Sequence, residues 1–250
     1  MAYSKTFLEQ VETAMKQSFS GWNFEQLRGR VKEEELDWSY RDWVKESLKQ
    51  RTVLDMGTGG GEFLSSCAPF QGKVYATEGY EPNVEIAQKA LAPFGVCVRY
   101  IEDDDYLPFS DGAFDSIINR HESYSERELA RILKPGGTFI TQQVGGDDCK
   151  EINDALSLPL NTEFADWKLE VAVDRLVAHG FSIEAKTKAF PKQRFFDIGA
   201  LIYYLRAIPW QAPGFSVERH MPQLDHIAQE IKKNGYFETT QHRFILKARK

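Results

Sequence analysis

Residues 53–61 read Val53-Leu54-Asp55-Met56-Gly57-Thr58-Gly59-Gly60-Gly61, an apolar run that passes through an aspartate into a glycine loop. A run of that kind forms a buried strand. The glycines after it let the chain turn sharply and bring its backbone against a ligand, which Cβ atoms and positive φ angles would otherwise oppose. This points to an α/β fold with its ligand at the carboxyl ends of parallel strands. The spacing also selects the ligand. A dinucleotide loop places its glycines as G-x-G-x-x-G so that a helix N-terminus meets a pyrophosphate. Here they fall at positions 57, 59 and 61, and the third slot of the dinucleotide pattern is Glu62. A carboxylate in the first helical turn repels a pyrophosphate. It suits S-adenosylmethionine (SAM), which carries an ammonium, a sulfonium and a carboxylate but no phosphate.

The residues that follow agree with such a loop. A short strand over residues 73–77 ends at Glu78, about 20 residues on, where an acid reaches ribose hydroxyls in a doubly wound sheet. Glu81-Pro82-Asn83 opens a helix, with Pro82 suited to a first turn and Val84, Ala87, Ala90 and Leu91 on its inner face. A third strand, residues 96–101, runs into Glu102-Asp103-Asp104-Asp105. These acids stand at the carboxyl end of a strand beside the loop, where ligands collect.

Four blocks in order, residues 53–61, 76–83, 103–115 and 131–140 (Arg-Ile-Leu-Lys-Pro-Gly-Gly-Thr-Phe-Ile), resemble the class I SAM-dependent methyltransferases, in particular those acting on small molecules. The resemblance covers residues 50–145. It implies a doubly wound, mostly parallel seven-stranded sheet, Rossmann-like, with the last strand antiparallel. It further implies that Asp55, Gly57, Thr58, Gly59 and Gly61 hold the methionine moiety, that Glu78 holds the ribose, and that Gly79 and Tyr80 lie against the adenine. Asp103, with Asp104 beside it, would bind the adenine amino group, and Asn119 would line the methionine end. Between Asn119 and the Lys134-Pro135-Gly136-Gly137 turn the chain is short. The helix after the fourth strand must be abbreviated, and the acceptor pocket is expected to differ from the family's usual one.

Outside the resemblance the organisation is read from periodicity. Phe7, Val11, Met15 and Phe19, with Leu8 and Ala14, predict an amphipathic helix over residues 4–19, and Tyr40, Trp43, Val44 and Leu48 predict another over residues 37–49. Further strands are expected at residues 114–119, 138–144, 181–187 and 243–248. Ser125 and Glu128 have capping-box spacing, and a helix over residues 169–179 is closed by Gly180. The chain then reads as one methyltransferase domain: a helical N-terminal segment (1–49), a SAM-binding core (50–190), a helical cap (191–235) and a final strand (236–250). The cap is rich in aromatics and is expected to form a lid over the acceptor, and residues 22–30 to close the pocket from the other side. Arg30, Arg120, Tyr204 and Trp210 are the expected acceptor-pocket residues.

Methyl transfer asks for alignment of nucleophile, methyl and sulfur in a dry site, and for a base only where the nucleophile carries a proton. His121, directly after the fourth strand with Glu122 able to orient it, is the candidate base. The other histidines and Cys67, Cys97 and Cys149 have no metal-ligand spacing, so no metal is expected. A net charge of −6 provides no global attraction to nucleic acid. No apolar run approaches the ~18 residues of a membrane span, and the N-terminus lacks a signal-peptide pattern, so a cytoplasmic location is expected. The expected partner is a small-molecule acceptor methylated on oxygen or nitrogen. The alternatives are an RNA or protein methyltransferase, suggested by the basic residues near the C-terminus, and a SAM-binding protein without turnover. Oligomeric state is left open by the sequence.

Overall fold

The computed structural model describes residues 3–17 and 24–250. In chain order the elements are α1 (Lys5–Lys16), β1 (Val31–Glu33), α2 (Tyr40–Val44), β2 (Thr52–Met56), α3 (Glu62–Ser65), β3 (Lys73–Glu78), α4 (Glu81–Leu91), β4 (Cys97–Tyr100), β5 (Phe114–Arg120) and α5 (Glu126–Ile132). They continue with β6 (Leu133–Val144), α6 (Lys150–Leu156), α7 (Leu169–Ala178), β7 (Ser182–Ala189), β8 (Lys192–Phe195), α8 (Ile198–Ala207), α9 (Met221–Asn234), β9 (Phe237–Thr240) and β10 (Arg243–Arg249). The chain divides into two compact units that interleave in sequence.

The larger unit comprises Asp37–Val144, Lys168–Lys188 and Phe244–Lys250. Its seven-stranded sheet has the order β4-β3-β2-β5-β6-β10-β7. The pairs β2/β3, β2/β5, β3/β4 and β5/β6 are all parallel. The strand order therefore reverses between β3 and β5, on either side of β2, which creates the crevice at the strand ends where such sheets bind ligands. Val53, Leu54, Ile117, Ile118, Phe139 and Ile140 are wholly buried, as the near-continuous apolar runs of doubly covered parallel strands require. The abbreviated helix is present as α5, of seven residues. Ser125 stands at its N-cap but its side chain accepts no capping hydrogen bond. The expected capping box is replaced because Glu128 is drawn elsewhere: its carboxylate accepts from the Leu107 amide (2.9 Å) and from Arg131 (2.6 and 2.8 Å). A charged, bidentate partner outcompetes a single backbone N–H.

The smaller unit comprises residues 3–17 and 24–36, Gly145–Trp167 and Ala189–Arg243. Helix α1 is capped by Ser4, whose hydroxyl accepts from the Phe7 amide. It buries Phe7, Val11 and Ala14, whereas Leu8 and Met15 are exposed. The expected stripe at steps of four drifts off the buried face, because at 3.6 residues per turn position 14 returns under Phe7 and position 15 does not. Phe19 and Trp22 lie outside the described residues. Helix α8 is buried along nearly its whole length. Its N-cap Asp197 accepts from the Ala200 amide (2.8 Å). A three-stranded antiparallel sheet, β1-β8-β9, completes this unit. The sequence expectation has no second sheet here: it gives residues 1–49 and 191–235 helices and residues 236–250 one final strand. Its strands have three or four residues each and come from distant parts of the chain, too short for a period-two signal.

Candidate functional site

The glycine loop leaves β2 at the centre of the large sheet. Gly57, Gly59 and Gly61 have φ of +65, +61 and +85°, a region that only glycine enters without strain. Gly57 is required for a second reason. A Cβ there would stand 2.5 Å from Cβ and Cγ of Glu122 and 2.6 Å from its carboxylate. The loop is fixed by the Thr58 amide donating to the Thr77 carbonyl (2.9 Å) and the Gly61 amide donating to that of Thr58 (3.0 Å).

Around this loop the larger unit gathers carboxylates. Asp55 ends the buried part of β2 and is only 5% exposed. Burial pushes its carboxyl up to about 7, with Glu78 adding to the rise and Thr58 and Arg120 opposing it. Glu78 ends β3, is buried, and accepts from the Tyr80 amide (2.8 Å). Its carboxyl is also raised by burial, against the amides of Tyr80, Gly59 and Gly79 that favour its ionised form. Glu122, just beyond β5, is raised to about 7 by burial and by its neighbours Asp104 and Glu78. The acid run after β4 is only partly a solvated turn. Asp103 is exposed and accepts from the Asp105 amide (2.8 Å), whereas Asp104 is half-buried, accepts from the Ser123 hydroxyl and is raised by burial. Residues 102–105 and 123–126 line an open acidic hollow of about 470 Å³. Gly79 has room above it, the nearest atom to a Cβ there being 3.6 Å away, and Tyr80 is largely exposed beside it.

The end of β5 supplies the other wall. Asn119 is wholly buried, and its Oδ1 accepts from Thr141 Oγ1 and Gln143 Nε2, both at 2.8 Å. Gln143 Nε2 also donates to the Glu122 carbonyl (2.8 Å). The pair holds the 120–123 turn rather than presenting a bare amide. The Arg120 guanidinium lies over the rings of Phe63 (4.8 Å) and Tyr40 (5.7 Å), a cation–π arrangement that brings the start of α2 to this end of the sheet. His121 is exposed and has φ of +63°, uncommon for a residue with a Cβ. Its amide donates to the Gln142 carbonyl (2.8 Å), its Nε2 lies 3.1 Å from Gln142 Nε2, and Gln142 Oε1 accepts from Trp38 Nε1 (2.9 Å). Gln142 is thus a hydrogen-bond partner of the His121 ring, and the Glu122 side chain lies over Gly57.

The structure therefore brings Asp55, the glycine loop, Glu78, Asp104, Asn119, Arg120 and His121 into one neighbourhood of the larger unit. The other expected pocket residues belong to the smaller unit. Arg30 forms a bidentate pair with Asp197 (2.8 and 2.5 Å). Tyr204 is buried, edge-on to Phe195 at 5.4 Å between ring centroids, and Trp210 is 46% exposed. Three functional candidates were not singled out from sequence: Glu122 as a wall of the loop, Gln142 and Trp38. The first has a signal in hindsight, a carboxylate two residues past β5. The other two are ordinary strand and helix-flanking residues whose roles arise only when β5, β6 and the α2 approach meet.

Residues 54–141 match the model of a methyltransferase domain family. Among curated proteins, the chain is 33% identical over 119 residues to demethylmenaquinone methyltransferase of Thermus thermophilus, covering 42% of this chain and 53% of that one. It is 25% identical over 158 residues to the mitochondrial arginine-hydroxylase NDUFAF5 of Homo sapiens, covering 51% of this chain and 44% of that one. The chain thus spans about half the length of the curated relatives it matches. Among solved structures, the BH2331 protein of Bacillus halodurans C-125 shares the fold at 18% identity, with a TM-score of 0.61 over 85% of this chain and 99% of that one.

Proposed function

We propose that this chain, whose residues 54–141 match the model of a methyltransferase domain family, transfers the methyl group of SAM to an oxygen or nitrogen of a small-molecule acceptor. The observation that carries this reading is the excess of buried carboxyls at the glycine loop, where the Gly57 position lies directly against Glu122. Asp55, Glu78 and Glu122 are all raised by burial, with Arg120 as the cation that opposes the rise at Asp55, so a cationic ligand would relieve the two further acids. SAM, with an ammonium and a sulfonium against one carboxylate, fits that excess, and a dinucleotide does not. When bound, SAM supplies an electrophilic methyl on a positively charged sulfur.

The chain's own residues divide the remaining work. Asp55 and the glycine loop meet the ammonium and carboxylate of the methionine moiety. Glu78, oriented by three backbone amides, accepts from the ribose hydroxyls. Asp103 and Asp104 face the adenine amino group, with Gly79 and Tyr80 against the ring. Arg120 and His121 stand on the acceptor side, with the Tyr40 and Phe63 rings under the Arg120 guanidinium. Calorimetry with SAM, S-adenosylhomocysteine and NAD tests the cofactor, and extracts supplied with methyl-labelled SAM test the acceptor. Binding of NAD in preference to SAM overturns the reading. The similarity to an arginine-hydroxylase supplies a second reading, which a product that gains oxygen instead of the labelled methyl would favour.

A further inference from the structure

Trp38, Gln142 and His121 form a chain of hydrogen bonds whose directions can be read without observing a proton. The indole Nε1–H is a donor only. Because it lies 2.9 Å from Gln142 Oε1, the amide of Gln142 has its oxygen towards Trp38 and its NH₂ towards His121. An NH₂ group is likewise a donor only, so the His121 Nε2 at 3.1 Å must accept, and the neutral ring carries its proton on Nδ1. Gln142 is only 7% exposed, and its own carbonyl accepts from the His121 amide. The relay is therefore built into the β5–β6 pairing, where Arg120 and Gln142 are register partners. The positive φ of His121 is the conformation that turns the ring back onto Gln142.

We propose that Trp38 and Gln142 are positioning residues that lock His121 as a neutral imidazole protonated on Nδ1, so that it meets the acceptor as a fixed polar group and takes up no proton unless Gln142 releases it. This rests on the methyltransferase reading for its functional meaning. It replaces the expectation that His121 is a freely available general base: Nδ1 already bears a proton and the Nε2 lone pair is held. An acceptor handled by such a site either has a nucleophile without a proton to lose or sheds that proton to another group.

The test is the tautomer itself, read from the imidazole nitrogens of ¹⁵N-labelled protein at pH 8, with the His121 signals assigned by their loss in His121→Asn. Wild type is expected to show Nδ1 protonated and Nε2 bare. Gln142→Glu keeps an acceptor for Trp38 but presents an oxygen to the ring, so it should move the proton to Nε2. Trp38→Phe frees the amide to flip and should give a mixture of the two tautomers. A wild-type ring protonated on Nε2 overturns the proposal, as do unchanged tautomers in both variants. Calorimetry of SAM binding on the same samples separates the two claims. Loss of the tautomer shift with intact SAM binding refutes the lock alone, while failure of wild type to bind SAM refutes the methyltransferase reading and leaves the lock standing as a structural fact.

Discussion

Lowering the pH from 8 to 6 should weaken SAM binding steeply and S-adenosylhomocysteine binding less. Two carboxyls at the loop, Asp55 and Glu122, are held at about 7 by burial and by Glu78, with Asp104 adding to the rise at Glu122. A bound cation stabilises their ionised forms, so the complex has lower values and binding releases protons. For a carboxyl at about 7, the protonated fraction is about one part in eleven at pH 8 and about ten parts in eleven at pH 6, so each group costs about tenfold in affinity over that range. Two groups together cost up to about 100-fold, roughly 3 kcal/mol. At pH 7 each is half-ionised, so about one proton in total leaves on binding. Titration calorimetry in buffers of different ionisation heat measures that proton count directly. S-adenosylhomocysteine keeps the ammonium that Asp55 meets but lacks the sulfonium, so it should retain about the tenfold share of one group and lose the other. Glu122→Gln should halve the slope for SAM. A SAM affinity that is flat across this window, or that rises with acid, would refute the claim that these buried acids recognise the cation.

The same shifts act on stability with the opposite sense. A carboxyl whose folded value is raised binds more protons in the folded than in the unfolded state, so the unliganded protein loses stability as pH rises from the ordinary carboxylate range towards 7. Glu122→Gln should therefore stabilise the unliganded protein at pH 8 by about 1 to 2 kcal/mol and by little at pH 5, as read from denaturant midpoints; a gain that persists undiminished at pH 5 would point to packing instead. Glu78→Ala should cost about 1.5 to 3 kcal/mol of SAM affinity, the scale of hydrogen bonds to a charged group, and an unchanged calorimetric constant would place the ribose partner elsewhere. Gly57→Ala should abolish measurable SAM binding, since its φ costs about 1 to 2 kcal/mol and its methyl meets Glu122; wild-type binding would mean that the loop can be rearranged freely. Tyr204→Ala should destabilise the fold by about 3 to 5 kcal/mol as a buried aromatic truncation, whereas Trp210→Ala should leave the thermal midpoint close to wild type; equal small effects would show Tyr204 to be a pocket residue as first expected.

The sequence carried the large sheet because parallel strands buried on both faces announce themselves as apolar runs, and the glycines between β2 and α3 fix where the crevice opens. Asp55, Glu78 and the acid run could be placed for the same reason: each ends a strand, and strand ends share one edge of such a sheet. What remained hidden depended on contacts between segments that no period records. Ser125 and Glu128 have capping-box spacing, but Arg131 and the Leu107 amide take the carboxylate. Met15 follows the step of four from Phe7, yet the helix turns it outwards.

The chemistry of His121 shows why such contacts matter more than residue identity at a site. As a sequence element, a histidine after a central strand is a candidate base. In the fold its reactivity is decided two residues removed, by an indole that can only donate. Trp38 fixes the orientation of Gln142, and Gln142 then fixes which ring nitrogen holds the proton. Glu122 occupies the space that the missing side chain of Gly57 leaves open. It joins the charges that a cationic cofactor would relieve. The turn at the end of β5 thus separates two tasks by facing adjacent side chains to different neighbours, Glu122 to the cofactor loop and His121 to the strand beside it. A substitution at Gly57 therefore acts through Glu122 on cofactor charge, and one at Trp38 acts through Gln142 on the histidine, and each should leave the other function largely intact.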